Sequence, residues 1–510
     1  MMTGHGGDPA NDRAKPGDPA LYDPSFLGGL IERLDRARVL VLGDVMLDRY
    51  VVGQVERMSP EAPIPVLKSD ALGANRAMPG GAGNVARNIA ALGGRAILIG
   101  VIGADGAGET LRGLLAAQSG VTARLIVDPA RPTTEKIRFM AERQQLLRVD
   151  TESAQAPSGE MARRLRDEMA DALGLVDVVV LSDYAKGVLG PDLLGAAIQA
   201  AREARKPIIA DPKSADFARY GGVDVLTPNR QELASASRRE IKDEEDLVQA
   251  ARNVAKLSGV AAILVTRGSE GMTLVPAEGM VRHFRAEPRE VFDVSGAGDS
   301  VVAVLAAAIA AGADLPAAAC LANLAGGIAV GKSGTALVHA ADLLGALHAQ
   351  AVMATEAKVV ALETALERAR RWRASNERIG FTNGCFDLIH PGHVALLAQA
   401  RAASDRLIVG LNSDASVRRL KGAGRPIQNE TARAIVLASL QPVDLVVVFD
   451  ADTPIDLIRA LKPDVLIKGA DYLADEVVGG DFVQSYGGRV LLVDLVPGHS
   501  TSGTIAKLTG

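Results

Sequence analysis

The sequence predicts an α/β protein of two domains, and three observations carry that expectation. Short apolar runs such as Val39–Asp44, Ala96–Gly100, Val178–Asp183, Pro207–Asp211 and Ile263–Gly268 alternate with helix-like segments and stop at polar or glycine-rich turns. Runs continuous in Val, Ile and Leu suit strands buried on both faces of a parallel sheet. A second series follows, with Ile379–Thr382, Arg406–Leu411, Leu445–Phe449, Val465–Ile467 and Val490–Leu495. The chain has 510 residues, and at roughly 150 residues per domain that length favours more than one core. Between the two series, Ala351–Ala374 is rich in Ala, Glu and Arg and lacks Gly and Pro, which predicts a connecting helix. The expected divisions are a flexible leader over 1–26, a first domain over 27–348, the connecting helix over 349–376 and a second domain over 377–510.

Composition excludes several classes of function. Lys+Arg number 56 against 61 Asp+Glu, a net charge of −5, so there is no basic field for a nucleic-acid backbone and no polybasic tail for an anionic membrane. Hydrophobic residues make up 48%, enough for a sizeable core, while aromatics at 3% leave that core aliphatic. Cys320 and Cys385 cannot by themselves form a disulfide framework or a zinc site, and read as small buried hydrophobes. The N-terminus carries Gly, Pro and Asp where a signal peptide needs an apolar core, and the longest greasy stretch, Val301–Ala313, is too short to span a bilayer. A cytoplasmic protein is expected.

Two constellations carry chemistry. In the first half, Asp293–Ser300 reads DVSGAGDS and runs into an Ala-rich helix candidate. A glycine-rich turn opening a helix aims backbone N–H groups and the positive end of the dipole at one spot, an anion hole for a phosphoryl group. Asp299 at its mouth could take a proton from a hydroxyl; a plain helix cap is the alternative. Gly80–Asn88 is a second such turn, placing Asn84 and Asn88 four apart on one helical face, where amides suit sugar hydroxyls or a buried cap. Asn229 and Glu232, three apart after a strand, could organise Mg²⁺-bound water. In the second half, His390-Pro-Gly-His393 enters a helix after a strand bearing Asn383 and Asp387. Two imidazoles beside free helix N–H groups concentrate donors for phosphate oxygens, whereas two His without a nearby Glu or Cys make a weak zinc set.

In their order, the first three segments resemble the ribokinase/PfkB family of sugar kinases, and the last resembles the cytidylyltransferase-like nucleotidyltransferases. The resemblance implies a ribokinase-like domain with a mostly parallel sheet and a small β lid, then a Rossmann-like domain. It implies ATP and Mg²⁺ in both halves, with Asp299 as base and Gly296, Ala297, Gly298, Asn229 and Glu232 at the ATP, Glu232 reaching the metal through water. The sugar set would be Asp44, Gly80, Gly81, Asn84, Asn88 and Lys186. For the second half it implies His390, His393 and Lys421 (in KGAGRP, Lys421–Pro426) as the charge-neutralising residues. Asn383, Gly384, Phe386, Asp387 and, in the His499–Ile505 segment, Thr501, Ser502 and Thr504 would hold the nucleotide.

The fused order, with strings such as GDVMLDRY, LSDYAKG, DPKSADFARY and LIKGADY, resembles the bifunctional heptose 7-phosphate kinase/heptose 1-phosphate adenylyltransferases. That resemblance implies phosphorylation of an anomeric hydroxyl, then AMP transfer to a heptose 1-phosphate for lipopolysaccharide core assembly. It implies sugar phosphates and ATP as partners, a separate phosphatase between the two steps, and a homodimer through the kinase domain. Lys186, Lys213 or Arg138 could supply cations for the 7-phosphate. Ser295 and Ser300 stand where the family often has Thr, and Pro391 fills the variable position between the histidines. The alternatives are a kinase/cytidylyltransferase for another sugar or polyol phosphate, and a catalytically silent sugar-nucleotide sensor. Retention of Asp299, both histidines and Lys421 favours an enzyme, since binding alone needs no base.

Overall fold

The computed structural model describes residues 22–69, 75–141, 144–157, 159–287, 294–332, 334–335, 337–470 and 477–493. The chain forms two compact units, Met1–His348 and Ala349–Gly510. The first is built on a nine-stranded sheet. In spatial order its strands are Arg282–Phe284, Met272–Pro276, Ala262–Thr266, Val225–Leu226, Ile208–Asp211, Val178–Ser182, Arg38–Gly43, Arg95–Ile102 and Val121–Val127. Seven of them run parallel, and only the Met272–Pro276 and Arg282–Phe284 pairings are antiparallel.

Strand side chains alternate between faces, and the unbroken apolar runs therefore feed two cores. Val39 and Val41 pack with the Ala297–Ala310 and Leu315–Val330 helices, while Leu40 and Leu42 pack with the opposite layer, which includes Leu194, Ala197 and Ala251. The Ala297–Ala310 helix is buried almost all round, as its Ala-rich sequence allows. A separate five-stranded sheet forms the expected lid. Val45–Met58 is its 14-residue spine, flanked by Pro65–Lys68, Asn75–Gly81 and Glu135–Ala141, the last pairing with Gln144–Thr151.

The second unit is a five-stranded parallel sheet in the order Leu445–Phe449, Arg406–Asn412, Ile379–Gly384, Val465–Gly469, Arg489–Val493. Here too the runs feed both faces, with Leu407, Val409 and Leu411 in one core and Ile379, Phe381 and Ile408 in the other. The first strand of the unit lies in the middle of the sheet, so its carboxyl end opens where the strand order reverses, the place where open α/β sheets bind ligands.

Two expected boundaries are corrected. The leader does not extend to residue 26: Asp23 caps a helix Pro24–Ile31 whose Leu27, Leu30 and Ile31 are buried against the first unit's core. Asp at the N-cap, Pro at the first position and apolar residues three and four apart are ordinary helix-start chemistry. Nor is 349–376 one helix. Ala340–Glu356 stops, Val359 bridges Val446 beside the second sheet, the Val360 N–H donates to the Val446 carbonyl at 3.0 Å, and a new helix runs Leu362–Ala374. Two β-branched residues docked on a strand outweigh a helix propensity that differs little from residue to residue.

Candidate functional site

In the first unit, Gly296 caps the Ala297–Ala310 helix at φ +76°, and a Cβ there would lie 2.7 Å from the Asn84 side-chain nitrogen. Only glycine meets both demands. Gly298 faces open space, so the helix N-terminus is accessible beside Asp299. The Asp299 carboxylate is buried, accepting a hydrogen bond from Asn84 Nδ2 at 2.8 Å on one oxygen and from the Tyr184 hydroxyl at 2.6 Å on the other. Burial pushes its carboxyl up to about 6, and the Tyr184 and Asn84 donors hold it there rather than higher. It remains ionised at neutral pH yet lies close to the working range of a general base.

Asn84 and Asn88 part company. Asn84 reaches Asp299, but Asn88 serves the fold: its amide donates to the Asn84 carbonyl at 3.0 Å, and its oxygen accepts from Ser300 Oγ and the Val338 N–H. Asp44, expected at the sugar, gathers backbone donors. Its two oxygens accept the N–H groups of Tyr184, Lys186 and Val188 at 2.8, 3.0 and 3.0 Å, fixing the turn that follows the Val178–Ser182 strand. The buried carboxylate facing the glycine turn is instead Asp48. The place where a Gly80 Cβ would stand is 2.1 Å from Asp48 Oδ2, and Arg138 pairs with Asp48. Asp48 lies on the Val45–Met58 strand, four residues beyond Asp44, which sits in the link just before that strand. Gly81, at φ +55°, turns the chain into the Ala82–Ala91 helix. Lys186 Nζ is held by Glu152 at 2.8 Å.

Asn229 and Glu232 form a capping box on the Arg230–Ser237 helix, the Asn229 side chain accepting from the Glu232 N–H at 2.8 Å and Glu232 Oε2 from the Asn229 N–H at 2.9 Å. The other Glu232 oxygen pairs with Lys213. Burial works against the Lys213 charge, but the Glu232 hydrogen bond and the Asp211 and Glu232 charges hold it above its ordinary value. Asp211 is pushed up to about 7 by burial. Asp299, Asp211, Lys213, Glu232 and Asp48 thus feel one another's charge across the end of the Ile208–Asp211 strand.

In the second unit, His390 caps the Pro391–Ala402 helix, and its ring stacks on His393 with centroids 3.8 Å apart; Phe386 lies 5.0 Å from His393 on the other side. Burial, and then the His390 ring, push His393 down to about 4, so its imidazole is neutral at pH 7. Asn383 Oδ1 is buried at the end of the central strand without a hydrogen-bond partner among the described residues, and the Asn383 carbonyl accepts from Lys468 Nζ at 3.2 Å. A buried polar atom without a partner calls for one. Gly384 ends the same strand, and Lys421 is exposed at the last position of the Asp414–Lys421 helix.

Asp387, expected at the nucleotide, is held within the chain. It accepts from the Ile427 and Gln428 N–H groups at 2.7 and 3.2 Å and pairs with Arg425, latching the loop that follows Lys421. Thr501, Ser502 and Thr504, like Asp293 of the first glycine turn, lie outside the described residues.

Arg433, which sequence reasoning missed, is fully buried. It donates to the carbonyls of Cys385, Asn412 and Gln428 and pairs with Asp414 at 2.7 Å, tying two strand ends to a helix start. An arginine on a helix is ordinarily solvated, so no pattern marks this one. Arg433→Ala should lower the stability of this unit by about 3 kcal/mol, because it leaves three carbonyls without their donor and a half-buried carboxylate without its partner. Urea unfolding followed by the single Trp372 in this unit provides the check.

Comparison with known proteins accords with both halves. The description "pfkB family carbohydrate kinase" fits residues 36–341, and "Cytidylyltransferase-like" fits residues 381–505. Bifunctional protein HldE of Rhodospirillum rubrum is 55% identical over 96% of this chain and 98% of its own. That of Caulobacter vibrioides is 54% identical over 92% and 96%. The crystal structure of phosphofructokinase-2 from Escherichia coli in complex with potassium matches 62% of this chain and 98% of its own at a TM-score of 0.51 and 24% identity, a likeness of fold. With relatives this similar along nearly its whole length, the chain belongs to the bifunctional HldE proteins, a pfkB family carbohydrate kinase joined to a cytidylyltransferase-like domain.

Proposed function

We propose that the first unit phosphorylates the anomeric hydroxyl of D-glycero-β-D-manno-heptose 7-phosphate with ATP, and that the second transfers AMP from ATP to heptose 1-phosphate, giving ADP-heptose and pyrophosphate for lipopolysaccharide core assembly. The observation that carries this reading is the pairing, in one chain, of a buried carboxylate at a glycine-led helix N-terminus with a stacked histidine pair at another. In the kinase step, Asp299 takes the proton of the sugar hydroxyl as its oxygen attacks the γ-phosphorus, and ADP leaves. The N–H groups of Gly298 and Asp299 receive the charge that develops on the phosphoryl oxygens. Asp48 and Arg138 sit where a sugar would meet Gly80. In the transfer step, the phosphate of the sugar is already an anion, so no base is needed. His390, His393, Lys421 and the helix N-terminus hold the triphosphate in line and neutralise its charge.

Mg²⁺ fits as an ion carried by the phosphates. Among the described residues no group of three or more His, Cys, Asp or Glu side chains could hold a metal, and a magnesium ion bound chiefly to phosphate and water needs none. When bound it neutralises phosphate charge, and Glu232 would reach it through water. Dimerisation through the kinase unit is supported by apolar side chains left exposed on the lid, among them Val55, Ile64, Leu147 and Val149. No helix among the described residues is long and apolar enough to cross a membrane.

The substrate reading has a direct test. The pure protein given heptose 7-phosphate, ATP and Mg²⁺ should accumulate only the 1,7-bisphosphate by mass spectrometry, because uncatalysed phosphate-monoester hydrolysis is far too slow to supply heptose 1-phosphate. ADP-heptose should follow addition of a separate phosphatase. ADP-heptose without it, or no phosphorylation at all, overturns this assignment.

A further inference from the structure

We propose that Tyr184 is the positioning residue of the kinase base: its hydroxyl orients the Asp299 carboxylate and sets the pH at which Asp299 can accept a proton. The inference rests on the reading of Asp299 as the base. Tyr184 is half-buried beside the glycine turn, its hydroxyl 2.6 Å from Asp299 Oδ1, with Lys213 Nζ 5.6 Å from its ring centroid. The Tyr184 N–H donates to Asp44 at 2.8 Å, and the next residue, Ala185, stands at φ +55°. An L-residue with a Cβ adopts that conformation only when its surroundings demand it. Here Asp44 binds the N–H groups of Tyr184, Lys186 and Val188, alternate residues of the turn, and the turn delivers the phenol to Asp299.

The sign of the effect follows from hydrogen-bond chemistry. A phenol that donates to a carboxylate favours its ionised form, so it opposes the rise that burial imposes on Asp299. The other groups that face Asp299 are Asn84 from the Ala82–Ala91 helix, Asp48 from the lid strand Val45–Met58, and Asp211 and Lys213 from the end of the Ile208–Asp211 strand. Asp48 raises it and Lys213 lowers it, Asp299 in turn raises Asp211, and none of these groups changes when only the phenol oxygen is removed.

The experiment is the pH profile of kinase kcat/KM for Tyr184→Phe in the full chain, with adenylyl transfer by the same preparation as the control for intact protein. The acid limb should move up by about one pH unit, so that activity falls about fivefold near pH 6, about tenfold near pH 5, and approaches the parent enzyme above pH 8. Substrate phosphates titrate alike in both proteins and cancel in the comparison. Site-specific 3-fluorotyrosine at 184, a stronger donor of the same shape, should move the limb the opposite way. An acid limb that stays in place in both proteins, or a uniform loss at every pH, leaves Tyr184 a packing residue and overturns the proposal. Should Tyr184→Phe unfold the kinase unit, the fluorotyrosine protein alone decides by the same criterion. Unchanged turnover in Asp299→Asn would instead remove the reading of the base itself, which keeps the two failures distinct.

Discussion

Asp299→Asn should lower kinase turnover by about a hundredfold or more, with adenylyl transfer by the same molecules unchanged. The substitution keeps the shape of the side chain and removes the one property the reaction needs from it, an oxygen that can accept and hold a proton. Gly296, Ala297 and Gly298 are untouched, so the helix N-terminus still receives phosphate and ATP affinity should stay within a few-fold. Stability should change in a pH-dependent way. The carboxyl is lifted by burial from its ordinary 3.8 to about 6, so the folded protein binds the proton more tightly than the unfolded chain. Such a group contributes stability that is fully present below about pH 4 and is lost as pH rises through about 6. The asparagine has no such dependence. The variant should therefore gain in thermal midpoint relative to the parent between pH 4 and pH 7. Equal kinase rates in the two purified proteins would show that Asp299 is not the base.

How far the sequence speaks for such a site depends on whether the chemistry is local. The turn at Gly296–Asp299, the one at Gly80–Asn88 and the histidine pair are each contiguous, and their backbone demands are written in the glycines and the helix entries themselves. The strands were legible for a related reason, since a run buried on both faces has no alternative pattern to hide behind. What was not legible is every contact made across the chain. Asp44 and Asp48 are acidic residues four apart in GDVMLDRY, and only packing reveals that one holds the 184–188 turn while the other meets Gly80. Asp387 looks like a nucleotide ligand in its motif, and its partners lie some forty residues on. The break between Glu356 and Leu362 is invisible in helix propensity because its cause is a strand at Val446.

His390→Ala and His393→Ala should each lower adenylyl transfer by about a hundredfold or more while leaving the kinase at its parental rate. Removing one preorganised donor from a site that stabilises developing charge commonly has an effect of that size. Here the two rings are stacked at 3.8 Å at the start of the Pro391–Ala402 helix, so each also fixes its neighbour. The kinase is spared because its base, glycine turn and lid all belong to the other compact unit. The histidines further predict an opposite pH signature from that of Asp299. His393 is held down at about 4 by burial and then by His390, against 6.5 in the unfolded chain. As pH falls through that window the unfolded chain takes up the proton first, so the transferase unit should lose stability between about pH 6.5 and pH 4. His393→Ala should lose less across the same interval, even where it is the less stable protein at pH 8. A bound triphosphate adds negative charge beside the pair and favours the imidazolium. ATP binding near pH 5.5 should then be accompanied by proton uptake, measurable by calorimetry in two buffers of different ionisation enthalpy. Transfer at the parental rate in either alanine variant would remove the histidine pair from the reaction and leave the phosphates to Lys421, Lys468 and the helix N-terminus.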